Sequence, residues 1–430
     1  MKKLIAILLA VVLCLSMVAC ASSTSKQDSQ TADNTASDTK ADTSSDASTS
    51  EDTSSDDAAS TGKTGVLKIG AIHDLTGSGS VLGIAGVNGH KLAVNDINAA
   101  GGVVIGDTTY TLELIAYDCK SDPNEAISAM NRLVTVDDVA IIEGPSLSNV
   151  ALACVDTTNE LQVPFLGQFG DPRCMIGENY DSLNPYMFLM QPSAAQSGIQ
   201  SLSYLVEKLG CKKIGFLIAQ DHAYCVAQTL WAFDYLDQMG VDYVVEYNNQ
   251  ADLDMKTQLT NLMNAGCDGL FNANPTQPLT VSTNQKHQLG WEVPQTGSLD
   301  YSSPFASLCA DNASASHIYF MSNTAYDTEN FIELDKKCRE TFDQEATIKT
   351  ALGYDQILIT VAAAQAAGSI DRNAIRDALE NISGVKTVIT DNFCMNPENH
   401  MPLGLEVCIM EIEDGEYSVA DQVWSPDYLK

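Results

Sequence analysis

The chain has 430 residues, 45% of them hydrophobic, and carries 56 Asp and Glu against 23 Lys and Arg, a formal net charge of −33 at pH 7. That is enough apolar sequence for two domains of ordinary size beside a polar segment. The acidic balance excludes nucleic acid and anionic lipid headgroups as partners.

Lys2 and Lys3 precede an apolar run over residues 4–15, too short to cross a bilayer, so residues 1–19 read as a signal peptide. Met17-Val18-Ala19-Cys20 resembles a bacterial lipoprotein box, with Met17 where Leu is commonest. The resemblance implies cleavage before Cys20 and a diacylglyceryl group on its thiol. Two acyl chains, at about 0.8 kcal/mol per buried methylene, make a stable anchor. Ordinary secretion with Cys20 as a bystander is the alternative. Residues 20–65 are then a lipid anchor and a disordered tether of Ser, Thr, Asp, Ala, Gln and Lys, which cannot bury enough surface to fold. A flexible segment of this length reaches roughly 35 to 40 Å. No later apolar stretch is long enough to span a membrane.

From residue 66 strand and helix patterns alternate. A strand over 67–72 leads through a Gly/Ser-rich turn to a helix with Ile84, Val87, Val94 and Ile97 on one face, stopped by Gly101-Gly102. A strand over 112–117, a helix over 125–134 and a strand over 139–142 follow, ending in Gly144-Pro145-Ser146-Leu147-Ser148-Asn149 and another helix. The order then repeats: a strand over 213–217, a helix over 224–239, a strand over 243–247, a helix over 255–265 and a strand ending near Phe271. Two βαβαβ runs predict an α/β protein of two similar doubly wound parallel-sheet lobes. Ligands bind such sheets at the carboxyl ends of the strands, which facing lobes would bring into one cleft.

At this point the chain resembles the type 1 periplasmic binding proteins that serve ABC transporters, and in particular the branched-chain amino acid binding proteins. The residues that carry the likeness are Ile69-Gly70, Leu75-Thr76-Gly77, Gly83, Val94-Asn95-Asp96-Ile97-Asn98-Ala99-Ala100-Gly101-Gly102-Val103, Tyr117-Asp118, Asp122-Pro123, Ser146 to Ser148, Val163-Pro164-Phe165, Asp221 with Tyr224, and Gly353-Tyr354-Asp355. The resemblance implies a hinge of three chain crossings, near Gln191-Pro192, Ser322-Asn323 and Thr390-Asp391. Lobe 1 would combine 66–191 with 323–390, and lobe 2 would combine 192–322 with 391–430. It also implies capture of a small ligand, an amino acid of the branched-chain type or a related one, for an ABC importer. The protein would be a monomer outside the cytoplasm, anchored by lipid, with an ABC permease as partner and with no cofactor, no metal and no enzymatic activity.

The cleft residues follow from the same likeness. Ser148, with Ser146, begins a helix directly after a strand, where free backbone N–H groups favour an anion. By resemblance its hydroxyl holds the ligand's α-carboxylate; a plain helix N-cap is the competing reading. Asp300 aligns with an acid that pairs with the α-ammonium, against a solvated loop Asp. Tyr224 aligns with a cleft-closing tyrosine, against a core aromatic, and Leu82 would line the side-chain pocket. Two departures from the family pattern bear on the ligand. Gly167-Gln168-Phe169-Gly170-Asp171-Pro172-Arg173 replaces a Ser/Thr-containing segment, so Phe169 and Asp171 enter the candidate site. Asp171 either pairs with Arg173, caps a turn, or accepts a second cationic group. Asn272-Ala273-Asn274-Pro275 stands where a tyrosine is expected.

An oxidoreductase reading finds Gly77, Gly79 and Gly83 between strand and helix with Asp118 ending the next strand, but the spacing is not G-x-G-x-x-G. No G-x-x-x-x-G-K-[ST], G-x-S-x-G or H-E-x-x-H occurs. A ligand-sensing lipoprotein that docks to a separate membrane receptor is the other functional class; receptors with this lobe pair usually continue into a membrane helix, and the sequence ends at Lys430. Ten cysteines, from Cys119 to Cys408, are scattered singly with no C-x-x-C and no metal-ligand spacing, and read either as small core residues or as disulfide partners in an exported protein.

Overall fold

The structure is a computed structural model that describes residues 62–297, 299–403, 405 and 407–422. The signal sequence, Cys20 and nearly all of the tether lie outside the described residues, as does the end of the chain from residue 423.

In chain order, β1 (Lys63–His73) is followed by α1 (Ser80–Ala99), β2 (Val103–Ile105), β3 (Thr108–Asp118), α2 (Pro123–Thr135), β4 (Ile141–Glu143), α3 (Ser148–Leu161), β5 (Phe165–Gly167), α4 (Arg173–Ile176) and β6 (Met187–Leu189). These strands form one sheet in the order β2-β3-β1-β4-β5-β6, parallel throughout except for the β2–β3 hairpin. The carboxyl half of β1 is buried residue after residue, as expected for a central parallel strand covered by helices on both faces. The strand β1 starts three residues before residue 66, with Lys63, Thr64 and Gly65 paired with Thr108, Thr109 and Tyr110.

The chain then enters a second set: α5 (Ala194–Ser203), β7 (Lys213–Ala219), α6 (Ala223–Ala227), α7 (Ala232–Met239), β8 (Asp242–Asn248), α8 (Lys256–Asn264), β9 (Gly269–Ala273), α9 (Thr276–Gln288), β10 (Gln295–Gly297), α10 (Phe305–Leu308) and β11 (Ile318–Ser322). The helix expected over 224–239 is broken. Around residues 228–231 the turns tighten, with Thr229 N–H donating to Val226 O and Leu230 N–H to Ala227 O, and the Thr229 hydroxyl bonds the Val226 carbonyl.

Three helices follow, α11 (Glu329–Phe342), α12 (Ile348–Ala367) and α13 (Arg372–Glu380), then the hairpin β12 (Cys394–Met395) and β13 (Pro402–Leu403), and finally β14 (Cys408–Glu413) and β15 (Glu416–Asp421). The second sheet has the order β15-β14-β11-β10-β9-β7-β8, parallel from β11 to β8 and antiparallel at the β14 and β15 edge. The helices α12 and α13 and the β12 strand share a core with β1 and α1, including Leu67, Ile69, Leu352, Ile359 and Phe393. This is the two-lobed type 1 architecture, with each sheet wound in both directions from an inner strand.

The third crossing differs from the sequence expectation. Residues 393–403 remain with the first sheet: Phe393 and Met395 are in its core, the His400 ring stacks on Phe188 at 4.1 Å, and Leu189 N–H donates to His400 O at 3.0 Å. The chain joins the second sheet only at Cys408, so the crossing falls beyond residue 403 instead of at 390–391. Burial of Phe393 and the stacking of His400 on Phe188 hold this segment to the first sheet.

The α1–α12 crossing positions one wall of the cleft. A side chain at Gly89 would meet Thr350 O at 2.1 Å, and one at Gly353 would meet Gly86 O at 2.1 Å. Backbone approach this close is open only to glycine, and it draws the start of α12 toward the carboxyl end of β1.

The ten cysteines of the folded part are all free thiols, and eight are buried. Burial pushes the Cys154 and Cys408 thiols up to about 12, so they act as small apolar core residues.

Candidate ligand-binding site

Loops at the carboxyl ends of both sheets enclose a cavity of about 100 Å³. A single water needs about 10–15 Å³ on this measure, so the space suits a molecule of several heavy atoms. One wall comes from the first lobe: Ser78 and Leu82 after β1, Ser146 to Ser148 after β4, Gln168 after β5, and Lys349 from the first turn of α12. The other wall brings His222 and Tyr224 after β7, Gln250 after β8, Thr276 after β9 and Asp300 after β10.

Of the residues named from sequence, Leu82, Ser146, Ser148, Tyr224 and Asp300 therefore line one cavity. The N-cap of α3 is Leu147, and no side chain caps it. Ser148 is thus not the capping residue. Its hydroxyl oxygen instead accepts from Gly170 N–H at 3.1 Å and Asp171 N–H at 3.2 Å, fixing the 168–171 loop beside the exposed amide end of α3. The Ser146 hydroxyl is buried without a hydrogen-bond partner. Asp300 accepts from the Thr276 hydroxyl at 2.9 Å. Tyr224 reaches across the cleft, its ring covering Gly170, and burial pushes its hydroxyl far above the usual range, with the Asp300 charge adding to the effect.

Phe169 and Asp171 do not line the cavity. The Phe169 ring folds back over Gly167 into the core, 6.4 Å from the Phe165 ring. Asp171 is fully buried and forms a two-point pair with Arg173, Nε to Oδ1 at 3.0 Å and Nη2 to Oδ2 at 2.6 Å. Its Oδ1 also accepts from Arg173 N–H at 3.0 Å, so of the roles open to it both the pairing with Arg173 and the turn cap are realised. The Asp118 carboxylate is likewise consumed, accepting from Leu75, Thr76 and Lys120 N–H groups and from the Thr76 hydroxyl. It shapes the Gly77 loop and leaves no ribose-binding acid there.

The structure adds residues that sequence reading missed. His222 lies in the second wall; burial lowers its pKa against the opposing pull of Asp300 and Asp221, and its Nδ1 contacts Cys225 Sγ at 3.2 Å. Lys349 is 6% exposed and donates to Gln168 O at 2.9 Å. Burial lowers its pKa to about 8, opposed by Asp300. Below the floor, Gln168 Nε2 and His90 Nε2 both contact Gln356 Oε1, at 2.7 and 2.9 Å, and His73 lies 5.1 Å from His90 between ring centroids. Among the described residues no cluster of three or more His, Cys, Asp or Glu is arranged to hold a metal ion.

A family model described as periplasmic binding protein matches residues 66–416. The chain belongs to the periplasmic binding protein family. This periplasmic binding protein is 26% identical over 238 residues to the Leu/Ile/Val-binding protein homolog 7 of Brucella abortus, a match covering 53% of this chain and 56% of that one. The chain thus spans about half the length of the curated relatives it matches. The leucine-binding protein LivK of Thermotoga maritima shares the fold with a TM-score of 0.75 at 20% identity, over 85% of this chain and all of that one. The branched-chain amino acid transporter substrate-binding protein LivJ of Streptococcus pneumoniae, solved with isoleucine, gives 0.72 at 24% identity, over 84% of this chain and all of that one. A solute-binding protein of Rhodopseudomonas palustris solved with 3,4-dihydroxybenzoic acid gives 0.71 at 21% identity, over 84% of this chain and 99% of that one. The family and these neighbours are binding proteins, not enzymes.

Proposed function

We propose that this periplasmic binding protein is the extracytoplasmic solute receptor of an ABC importer, and that it captures a small α-amino acid with an apolar side chain between its lobes. The observation that carries the reading is the charge division of the cleft. The first lobe offers Ser146, Ser148, the uncapped amide end of α3 and Lys349, all suited to an anion, while the second offers Asp300, suited to a cation. Leu82 and Leu299 supply apolar surface between them. The names of the Brucella relative and of LivJ point to the same ligand class.

A ligand that binds only the folded state stabilises it by RT ln(1 + [L]/Kd), about 2.7 kcal/mol at a hundredfold excess over Kd. A thermal-shift screen of the full chain against amino acids, small amides, aromatic acids, short peptides and nucleosides is expected to show its largest shift among apolar amino acids. A shift with nucleosides alone sinks the amino acid reading.

The proposal includes a lipid anchor at Cys20 and a monomer tethered near the membrane, where it can meet a permease. Growth with a labelled fatty acid should mark the wild-type protein and leave Cys20→Ser unmarked. Label retained by Cys20→Ser removes the anchor.

A further inference from the structure

Lys349 is placed where a cation is hard to keep. It sits in the first turn of a 20-residue helix whose N-terminus is capped by Thr347 and Thr350, and the positive end of a helix macrodipole disfavours a cation there. It is also nine-tenths buried, and among the described residues its ammonium donates to one neutral oxygen, Gln168 O, so two of its three donors remain for the cavity that it lines. A buried charge with so little compensation is costly unless an opposite charge arrives. The charged and titratable groups that face it are Asp300 from the opposite lobe, His73 beneath it on β1, and His222 across the cavity. Burial lowers both His73 and His222, so neither supplies an anion nor, at neutral pH, a second cation.

We propose that Lys349 is the ion-pair partner of the ligand's carboxylate, so that the cleft selects small carboxylates through a buried ammonium on α12 in addition to the Ser146–Ser148 turn. This rests on the reading of the cleft as a ligand site. The nearby Ser146 hydroxyl, buried and unpartnered, is a further donor for the same group. A ligand's carboxylate beside Lys349 thus adds a close counter-charge to the more distant one of Asp300.

The pairing has a signature that a structural lysine would not give. With its pKa lowered to about 8 in the free protein, Lys349 is only about half charged near pH 8, and a bound carboxylate raises that value again. Binding therefore takes up protons near pH 8, and affinity is full below that range and falls as the pH rises through it.

Titration calorimetry of the full chain tests this with two pairs of probes, L-leucine against leucinamide and benzoate against benzamide, in buffers of different ionisation enthalpy. Lys349→Met keeps the stem and removes the charge, and circular dichroism checks its fold. The carboxylate of each pair is expected to lose about 30-fold or more in affinity in Lys349→Met, with the proton uptake abolished, while its amide is little changed. Equal affinity and equal proton uptake in the two proteins overturn the role of Lys349 and leave the cleft reading standing. Equal losses for acid and amide show a structural lysine and overturn it as well. A wild-type protein that binds neither acid overturns this inference and counts against the proposed ligand class together with it.

Discussion

Replacing Asp300 by Ala is expected to weaken an apolar α-amino acid by about 2 to 5 kcal/mol, roughly 30-fold to several-thousand-fold, while barely moving the amine-free acid of the same side chain. The asymmetry follows from what each ligand leaves behind. An ammonium enclosed without its counter-charge carries a desolvation cost that the amine-free acid never incurs. Asp300→Asn is the matched control, since it preserves an oxygen for the Thr276 hydroxyl, which donates to Asp300 at 2.9 Å. Asn should therefore retain the loop while losing most of the amine preference. Calorimetry on folded variants decides: equal losses for both ligands in Asp300→Ala refute the ammonium assignment.

Much of the fold was legible because the period of the apolar pattern changed where the elements change. The β1 and β7 strands and the α1 and α2 helices lie where their patterns placed them. The most specific family segment, however, is scaffold and not site. Asn98 makes two bonds to the Leu112 backbone, Nδ2 to O at 2.9 Å and N–H to Oδ1 at 2.8 Å, tying α1 to β3. Asp96 accepts from the Tyr354 hydroxyl at 2.8 Å and from Lys337 Nζ at 2.9 Å, tying α1 to α11 and α12. Asp355 receives the Val388 and Ile389 N–H groups and so anchors the segment that leads back toward the hinge. Such residues identify a fold because they fix the approach of its elements, and they say little about the ligand.

The cleft was legible where a loop directly follows a strand, as at Ser146, Ser148 and Asp300. It was not legible where a residue lines the cavity from the start of a helix far along the chain. Lys349 lies in α12, a helix buried on nearly every side, and a lone lysine in such a segment is the signal that the sequence offers. Phe169 and Asp171 fail as cavity residues for a different reason. Sequence position placed them at the cavity, but one side chain finds a core partner in Phe165 and the other an ion pair two residues away. Which side of a loop a side chain takes depends on partners from elsewhere in the fold, and periodicity carries no information about them.

The contact between Tyr224 and Gly170 provides the second large effect. A Cβ built at Gly170 would lie 2.4 Å from the Tyr224 ring, well inside the contact that carbon atoms tolerate. Gly170 has no left-handed backbone that would itself forbid a side chain. Gly170→Ala is therefore expected to leave the folding of each lobe intact and to obstruct their approach, because the two residues belong to opposite walls of the cleft. Overpacking of this kind costs about 1 to 3 kcal/mol, which predicts a loss of ligand affinity of about 5- to 150-fold with little change in the thermal stability of the ligand-free protein. Truncating the ring should relieve the obstruction, so Tyr224→Ala combined with Gly170→Ala should bind better than the sum of the single losses allows. Residues in contact show such coupling and independent ones do not. A double mutant whose loss equals that sum would separate Tyr224 from Gly170 and remove the tyrosine from the closing surface. Coupling of about 1 kcal/mol or more, together with a ligand-induced compaction in small-angle scattering that returns in the double mutant, would place the ring between the lobes as they close.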